Sequence, residues 1–127
     1  MKTWIAVAIG GALGSVARHA MNWFVSQKLT HAVPVATGTV NLIGCTIAGI
    51  ITGLVVSGQI RMSLTARTFV FVGILGGFTT FSAFGLDTFT LVHEGRSLAA
   101  VANVIVQCVG GIAGVAVGYA LGTLTRA

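Results

Sequence analysis

Gly73-Ile74-Leu75-Gly76-Gly77-Phe78-Thr79-Thr80-Phe81-Ser82-Ala83-Phe84-Gly85-Leu86-Asp87 is too apolar to be a loop and too broken to be an ordinary helix. Two adjacent glycines followed by two β-branched threonines disfavour a continuous helix, which predicts unwinding over Gly76 to Thr80 and a resumed helix afterwards. Unwinding at bilayer depth frees carbonyl oxygens, and such groups persist there only when buried in protein, lining a cavity or holding an ion. On the resumed helix Phe81 and Phe84 share a face, with the Ser82 hydroxyl nearby. A ring edge is positive and can face an anion stripped of water, so the stretch suggests a cation site beside an anion path. It is equally open to a plainer interpretation, in which the glycines pack helices and the rings face lipid or neighbours.

The rest of the chain narrows the choice. Of its 127 residues 55% are hydrophobic and only 7% charged, where a soluble domain carries about 25% charge. This composition predicts an integral membrane protein. A crossing needs about 20 residues, so the chain holds roughly four crossings with short connections and a single domain over residues 1–127. The formal net charge is +5, yet the seven basic residues are scattered singly. That distribution fits anchors at lipid headgroups and argues against a nucleic-acid partner. Cys45 and Cys108 lie in mid-segment without metal-ligand spacing and fit as small apolar fillers.

Segment one is predicted from Thr3 to Ser26. Nineteen residues separate Trp4 from Trp23, a rise of about 28 Å, which suits an aromatic belt at each face of the bilayer. Lys2 before an apolar run ending at Ser15-Val16-Ala17 could open a signal peptide, but the run continues to Trp23, which favours a retained helix. Gly10 and Gly14 form a small-residue face for a partner helix. Arg18 lies about a turn inside Trp23, where it either snorkels outward or concentrates anions at a pore mouth. His19, His31 and His93 fall near segment ends, as interfacial side chains do. After a polar connection over Gln27 to Val33, Pro34 opens segment two, predicted to run to Val56. Asn41 is its costly residue, either an interhelical hydrogen bond or a donor amide facing a pore. A connection over Ser57 to Thr65 leads to segment three, Thr68 to Val92. Asp87 falls near its end, within reach of headgroup water or a neighbouring cation. After a turn over His93 to Ser97, segment four spans Leu98 to Leu124. There Gly110, Gly114, Gly118 and Gly122 lay a stripe without side chains that another backbone must approach, and Asn103 and Gln107 share a face. With four crossings, Lys2, Arg61, Arg67 and Arg126 stand on one side against Lys28, Arg96 and the nearby Arg18 on the other. So even a balance barely chooses an orientation.

Taken together, Gly10-Gly11-Ala12-Leu13-Gly14-Ser15-Val16-Ala17-Arg18, Pro34 with Thr37 and Asn41-Leu42-Ile43-Gly44, and Gly76-Gly77-Phe78-Thr79-Thr80-Phe81-Ser82-Ala83-Phe84 make the whole chain resemble the Fluc-type (CrcB-like) fluoride channels. The resemblance implies an all-α, four-helix membrane protein with its third helix broken. It also implies a dual-topology antiparallel homodimer with two fluoride pores in the bacterial inner membrane, and a structural sodium ion that is not transported. Carried over by position, Gly76 and Thr79 supply carbonyls to that sodium, and Phe81 and Phe84 are the pore phenylalanines. Asn41 is the pore amide, with Thr37, Thr80 and Ser82 as polar neighbours, Gln107 as part of the lining and Arg18 as the vestibule arginine. The chain departs from the family's usual hydroxyl residues at Gly85, Gly111 and Val115.

Two other classes are weaker. A proton-coupled exporter resembling the small multidrug-resistance proteins needs a carboxylate deep in the first helix, and segment one has no Asp or Glu. A membrane scaffold subunit would account for the glycine stripes but leaves Asn41 and the Gly76–Thr80 break without a purpose. The expected activity is passive transport of fluoride, without catalysis.

Overall fold

The computed structural model describes residues 1–28 and 33–124, and of Val33 only the backbone. His31, Arg126 and most of the connection after Lys28 lie outside the described residues. Helix α1 spans Lys2–Lys28, α2 Val33–Val56 and α3 Leu64–Arg67, which runs into a π-helical stretch at Thr68–Leu75. Then come α4 at Gly76–Phe78, α5 at Phe81–His93 and α6 at Ser97–Leu124. Among the described residues there is no strand. Three stretches, Pro34–Val56, Leu64–His93 and Ser97–Leu124, are long and apolar enough to cross a membrane. Helix α1 has the length, at 27 residues, but carries Lys2, Arg18 and Lys28 and is not among the three.

Glycine sets which helices touch. The α6 stripe lies on α2, the most extensive helix pairing in the chain. A Cβ on Gly118 would come 2.9 Å from the Ile50 amide nitrogen, and one on Gly122 2.9 Å from that of Leu54. From the other side Gly49 meets Tyr119, where a Cβ would stand 2.9 Å from the backbone nitrogen. On the opposite flank Gly10 sits against Gly73, with a Cβ 2.9 Å from its Cα, so the small face of α1 receives the third segment. Backbones this close exchange dispersion contacts that lipid tails cannot match, and such contacts hold apolar helices together in a membrane.

This packing corrects one expectation. Gly76 and Gly77 are helical, and the extended residues are Thr79 and Thr80 alone. Gly77 lies flush on α1, where a Cβ would stand 2.6 Å from the Gly11 carbonyl oxygen, so its missing side chain serves contact rather than unwinding. Two boundaries also move. The third segment begins at Leu64, because Ser63 caps it by accepting the Ala66 N–H at 3.2 Å. Its first long turn is π-helical, a widening that apolar periodicity does not signal. The segment closes at Gly95, whose φ of 75° is the left-handed conformation a helix end of this kind needs, with the Arg96 N–H returning to the Leu91 carbonyl at 2.9 Å.

The outer faces are apolar. Trp4 is 80% exposed and Trp23 61% exposed, at opposite ends of α1 as the belt predicts. Ile9, Leu13 and Val16 on α1 and Ile105, Val109 and Ile112 on α6 also point outward. A chain whose apolar side chains face out and whose polar ones turn in is solvated by lipid.

Candidate functional site

Thr79 (ψ 160°) and Thr80 (φ −153°, ψ 119°) form an extended step between α4 and α5. Two side chains hold it. The Thr80 hydroxyl caps α5 by accepting the Ala83 N–H at 3.2 Å. Asn41, reaching across from α2, accepts the Thr80 N–H on Oδ1 at 2.8 Å and donates Nδ2 to the Thr80 carbonyl at 3.1 Å. In a continuous helix the Thr80 N–H would go to the Gly76 carbonyl and that of Ala83 to the Thr79 carbonyl. Both donors are diverted, so the step takes the helical partners from those two oxygens. The Arg18 guanidinium then approaches the Thr79 oxygen at 3.5 Å.

From Asn41 a directed chain of hydrogen bonds runs away from the step. Asn41 Nδ2 donates to Gln107 Oε1 at 2.7 Å, Gln107 Nε2 to Asn103 Oδ1 at 2.8 Å, and Asn103 Nδ2 to Thr88 Oγ1 at 2.9 Å. The Thr88 hydroxyl ends it on the Phe84 carbonyl at 2.8 Å. Asn103 and Gln107 are both buried, so each link is made where an unpaired amide would be costly.

Three cavities lie along this line. One of about 230 Å³ is walled by Asn41, Thr79, Thr80, Phe81, Phe84 and Gln107, together with Cys45 and Cys108. The two rings there stand 5.4 Å apart between centroids and tilted by 51°, so their edges and faces are not parallel. A second, of about 420 Å³, is lined by Arg18, Asn22, Thr80, Ser82, Ala83 and Leu86, and the Ser82 hydroxyl lies 3.2 Å from that of Thr80. The third, of about 380 Å³, opens between α2 and α6, with Gln107 and Asn103 inside and Arg96 at its rim. Thr80 is shared by the first two and Gln107 by the first and third.

Residues 5–119 match the family described as "CrcB-like protein, Camphor Resistance (CrcB)". A protein of Chloroflexus aurantiacus named "Fluoride-specific ion channel FluC" is 35% identical over 122 residues, 96% of each chain. The chain belongs to the CrcB-like family. Proteins of the same name from Methylobacillus flagellatus and Paracoccus denitrificans are 41% and 40% identical, over 94% of this chain in both cases and over 93% and 94% of their own. With three apolar helices of spanning length, this CrcB-like chain is a multi-pass membrane protein.

Most residues singled out in the sequence come together around the step, but not all as expected. Asn41 lines the ring cavity, yet both of its N–H groups are engaged within the protein. Phe81 is 82% exposed. Thr37 is buried one turn before Asn41 and lines none of the three cavities. Among the described residues Asp87 pairs with no cation. It is buried, its Oδ2 has no hydrogen-bond partner, and Arg96 pairs instead with Glu94 at 3.2 Å. Cys45 and Cys108 are free thiols, and both line the ring cavity. Sequence reasoning missed Asn22, Thr88 and the place of Asn103. The spacing of Asn103 four before Gln107 was a signal for the last, whereas Thr88 is one threonine among many on apolar helices. The departures at Gly111 and Val115 leave α6 without hydroxyls there, and the amides of Gln107 and Asn103 supply its polar groups instead.

Proposed function

We propose that this CrcB-like chain is a passive fluoride channel of the bacterial inner membrane, which lets fluoride accumulated in the cytoplasm leave. The observation that carries the proposal is the row of three cavities that share Thr80 and Gln107 as common walls, with a cation at each end, Arg18 and Arg96. Relatives 35–41% identical over most of their length bear the name of fluoride-specific channels, which supports the same reading. No bond is made or broken in such transport. Arg18 gathers anions in its vestibule. Ser82 and Thr80 offer hydroxyls in turn, Phe81 and Phe84 offer ring edges, and Gln107 carries the path onward beside Asn41. Thr37 supports Asn41 from one turn away.

In this proposal α1 is the first of four crossings and the third is interrupted at Thr79–Thr80. Two copies pair antiparallel in the bilayer, which would give the outward Phe81 ring a protein neighbour. Labelling of single cysteines at Lys28 and Arg61, in intact cells and in inverted vesicles, is expected to mark each position from both sides. Labelling from one side only at each position would exclude dual topology.

The diverted Gly76 and Thr79 carbonyls fit a small hard cation, because such ions bind oxygens that have lost their helical donors. A two-fold axis would bring four such oxygens together and let a sodium ion brace the two chains without being transported. Arg18, 3.5 Å from the Thr79 oxygen, competes for the same lone pairs. Liposomes carrying the protein are expected to release fluoride and retain chloride on a fluoride electrode. Exhaustive replacement of sodium by a bulky organic cation is expected to slow the release or loosen the dimer. Equal loss of chloride would sink the channel proposal, and full indifference to sodium would sink the cation site.

A further inference from the structure

We propose that Cys45 and Cys108 together form a two-thiolate site for one soft monovalent metal ion, copper(I) or silver, and that the occupied site closes the ring cavity to anions. The metal site is independent of what passes through the cavity, whereas the closure rests on the fluoride-channel reading above.

Both thiols are free, and both line the cavity of about 230 Å³ that Phe81 and Phe84 wall. They come from different helices, Cys45 from α2 and Cys108 from α6, which form the most extensive pairing in the chain. Gly111 shows how near they are. A Cβ built there would stand 3.4 Å from Cys45 Sγ, so that sulfur lies against the bare turn of α6 that begins at Cys108. Residues three apart on a helix have their Cβ atoms about 5–6 Å from each other, which puts Cys108 one side chain away. A linear two-coordinate ion with metal–sulfur bonds of about 2.3 Å holds its sulfurs about 4.6 Å apart. Cys108 is exposed, so a χ1 choice at that residue sets the bridging distance without moving either backbone.

The ligands on offer choose the ion. The amide oxygens of this cavity are already engaged, Asn41 Oδ1 by the Thr80 N–H and Gln107 Oε1 by Asn41 Nδ2, so the two sulfurs lead, and sulfur selects soft metals. Among the described residues no group of three or more His, Cys, Asp or Glu side chains stands together. Tetrahedral zinc therefore lacks its ligands, while a two-coordinate ion has both of its own. Only the thiolate binds a metal, so each metal–sulfur bond forms as its thiol releases a proton to water, and the ion keeps its oxidation state. Two thiolates around one monovalent cation leave a single negative charge. Beside the rings, where little water screens it, that charge repels an entering anion, and the metal fills part of the space the anion would use.

The test adds silver nitrate to the full chain in chloride-free buffer and takes two readings. Native mass spectrometry counts the silver bound per chain, and a fluoride electrode follows efflux from liposomes, each protein being compared with its own silver-free rate. The wild-type chain is expected to hold one silver ion and to slow at least tenfold, with excess dithiothreitol restoring the rate. Cys45→Ser and Cys108→Ser are each expected to need roughly 100-fold more silver for half-maximal block, because a lone thiolate loses the second bond made within the same chain. Zinc nitrate at the same concentration is expected neither to bind nor to block. Both variants are checked by gel filtration, and if one elutes differently the other decides alone. A single-cysteine variant as sensitive as the wild type, or two silver ions on the wild-type chain, would overturn the bridged site. One bound silver ion with undiminished efflux would overturn the closure. A chain that releases no fluoride yet holds one silver ion, lost in either serine variant, would sink the channel reading and uphold the metal site.

Discussion

Asn41→Asp is expected to abolish fluoride efflux, lowering it by roughly 100-fold or more, equivalent to about 2.7 kcal/mol of barrier. One carboxylate oxygen can still accept the Thr80 N–H, as Oδ1 does now at 2.8 Å. The other would replace a nitrogen that donates to the Thr80 carbonyl and to Gln107 Oε1, and would set three acceptors facing one another. Each buried polar group left without a partner costs about 1–3 kcal/mol. Gln107 can turn its amide over to meet the new oxygen, but the Thr80 carbonyl cannot turn, and a negative charge would remain beside the path of an anion. The extended step and the electrostatics fail together. Efflux is measured from liposomes after the variant is shown to elute as the wild type does. A folded Asp variant that passes fluoride at the wild-type rate would show that neither the Thr80 clamp nor the charge at this depth matters.

Phe81→Ile and Phe84→Ile carry the second large effect, with fluoride efflux expected to fall at least tenfold in each, about 1.4 kcal/mol of barrier. Fluoride is small and strongly hydrated, so its path must replace water with short-range positive groups while staying too narrow for chloride. Hydroxyls and amides are few in the ring cavity, where among the described residues Thr79, Thr80, Asn41 and Gln107 supply them. The ring edges can fill the gaps without holding the ion too tightly to leave. Isoleucine has comparable bulk and no such edge. The tilted pair at 5.4 Å gains about 0.5–1.5 kcal/mol from its own contact, so its loss alone leaves the fold intact. Gel filtration checks that point, and wild-type fluoride rates in both variants would make the rings packing residues and move the path elsewhere.

The sequence by itself determined the membrane class and the approximate helix spans, and it pointed to the stretch Gly76 to Thr80 without saying which of its residues leave the helix. A 7% charged chain can hide its backbone from lipid only as helices or a closed barrel, apolar runs of about 20 residues choose helices, and glycines four apart mark which faces touch. It also singled out Asn41, because an amide on an apolar helix must find a partner. The tertiary structure decided the partners. Gly76 and Gly77 disfavour helix as Thr79 and Thr80 do, and the contact of Gly77 with Gly11 on α1 together with the Asn41 clamp on Thr80 settles which pair unwinds. Nothing local says that Asn41 meets Thr80, thirty-nine positions away, or that Gln107 lies between Asn41 and Asn103. Hydrogen-bond direction is a property of the assembled chain of donors and acceptors. It starts from a backbone N–H exposed by the break, so which way each amide is turned became legible only once α2, α5 and α6 were in place.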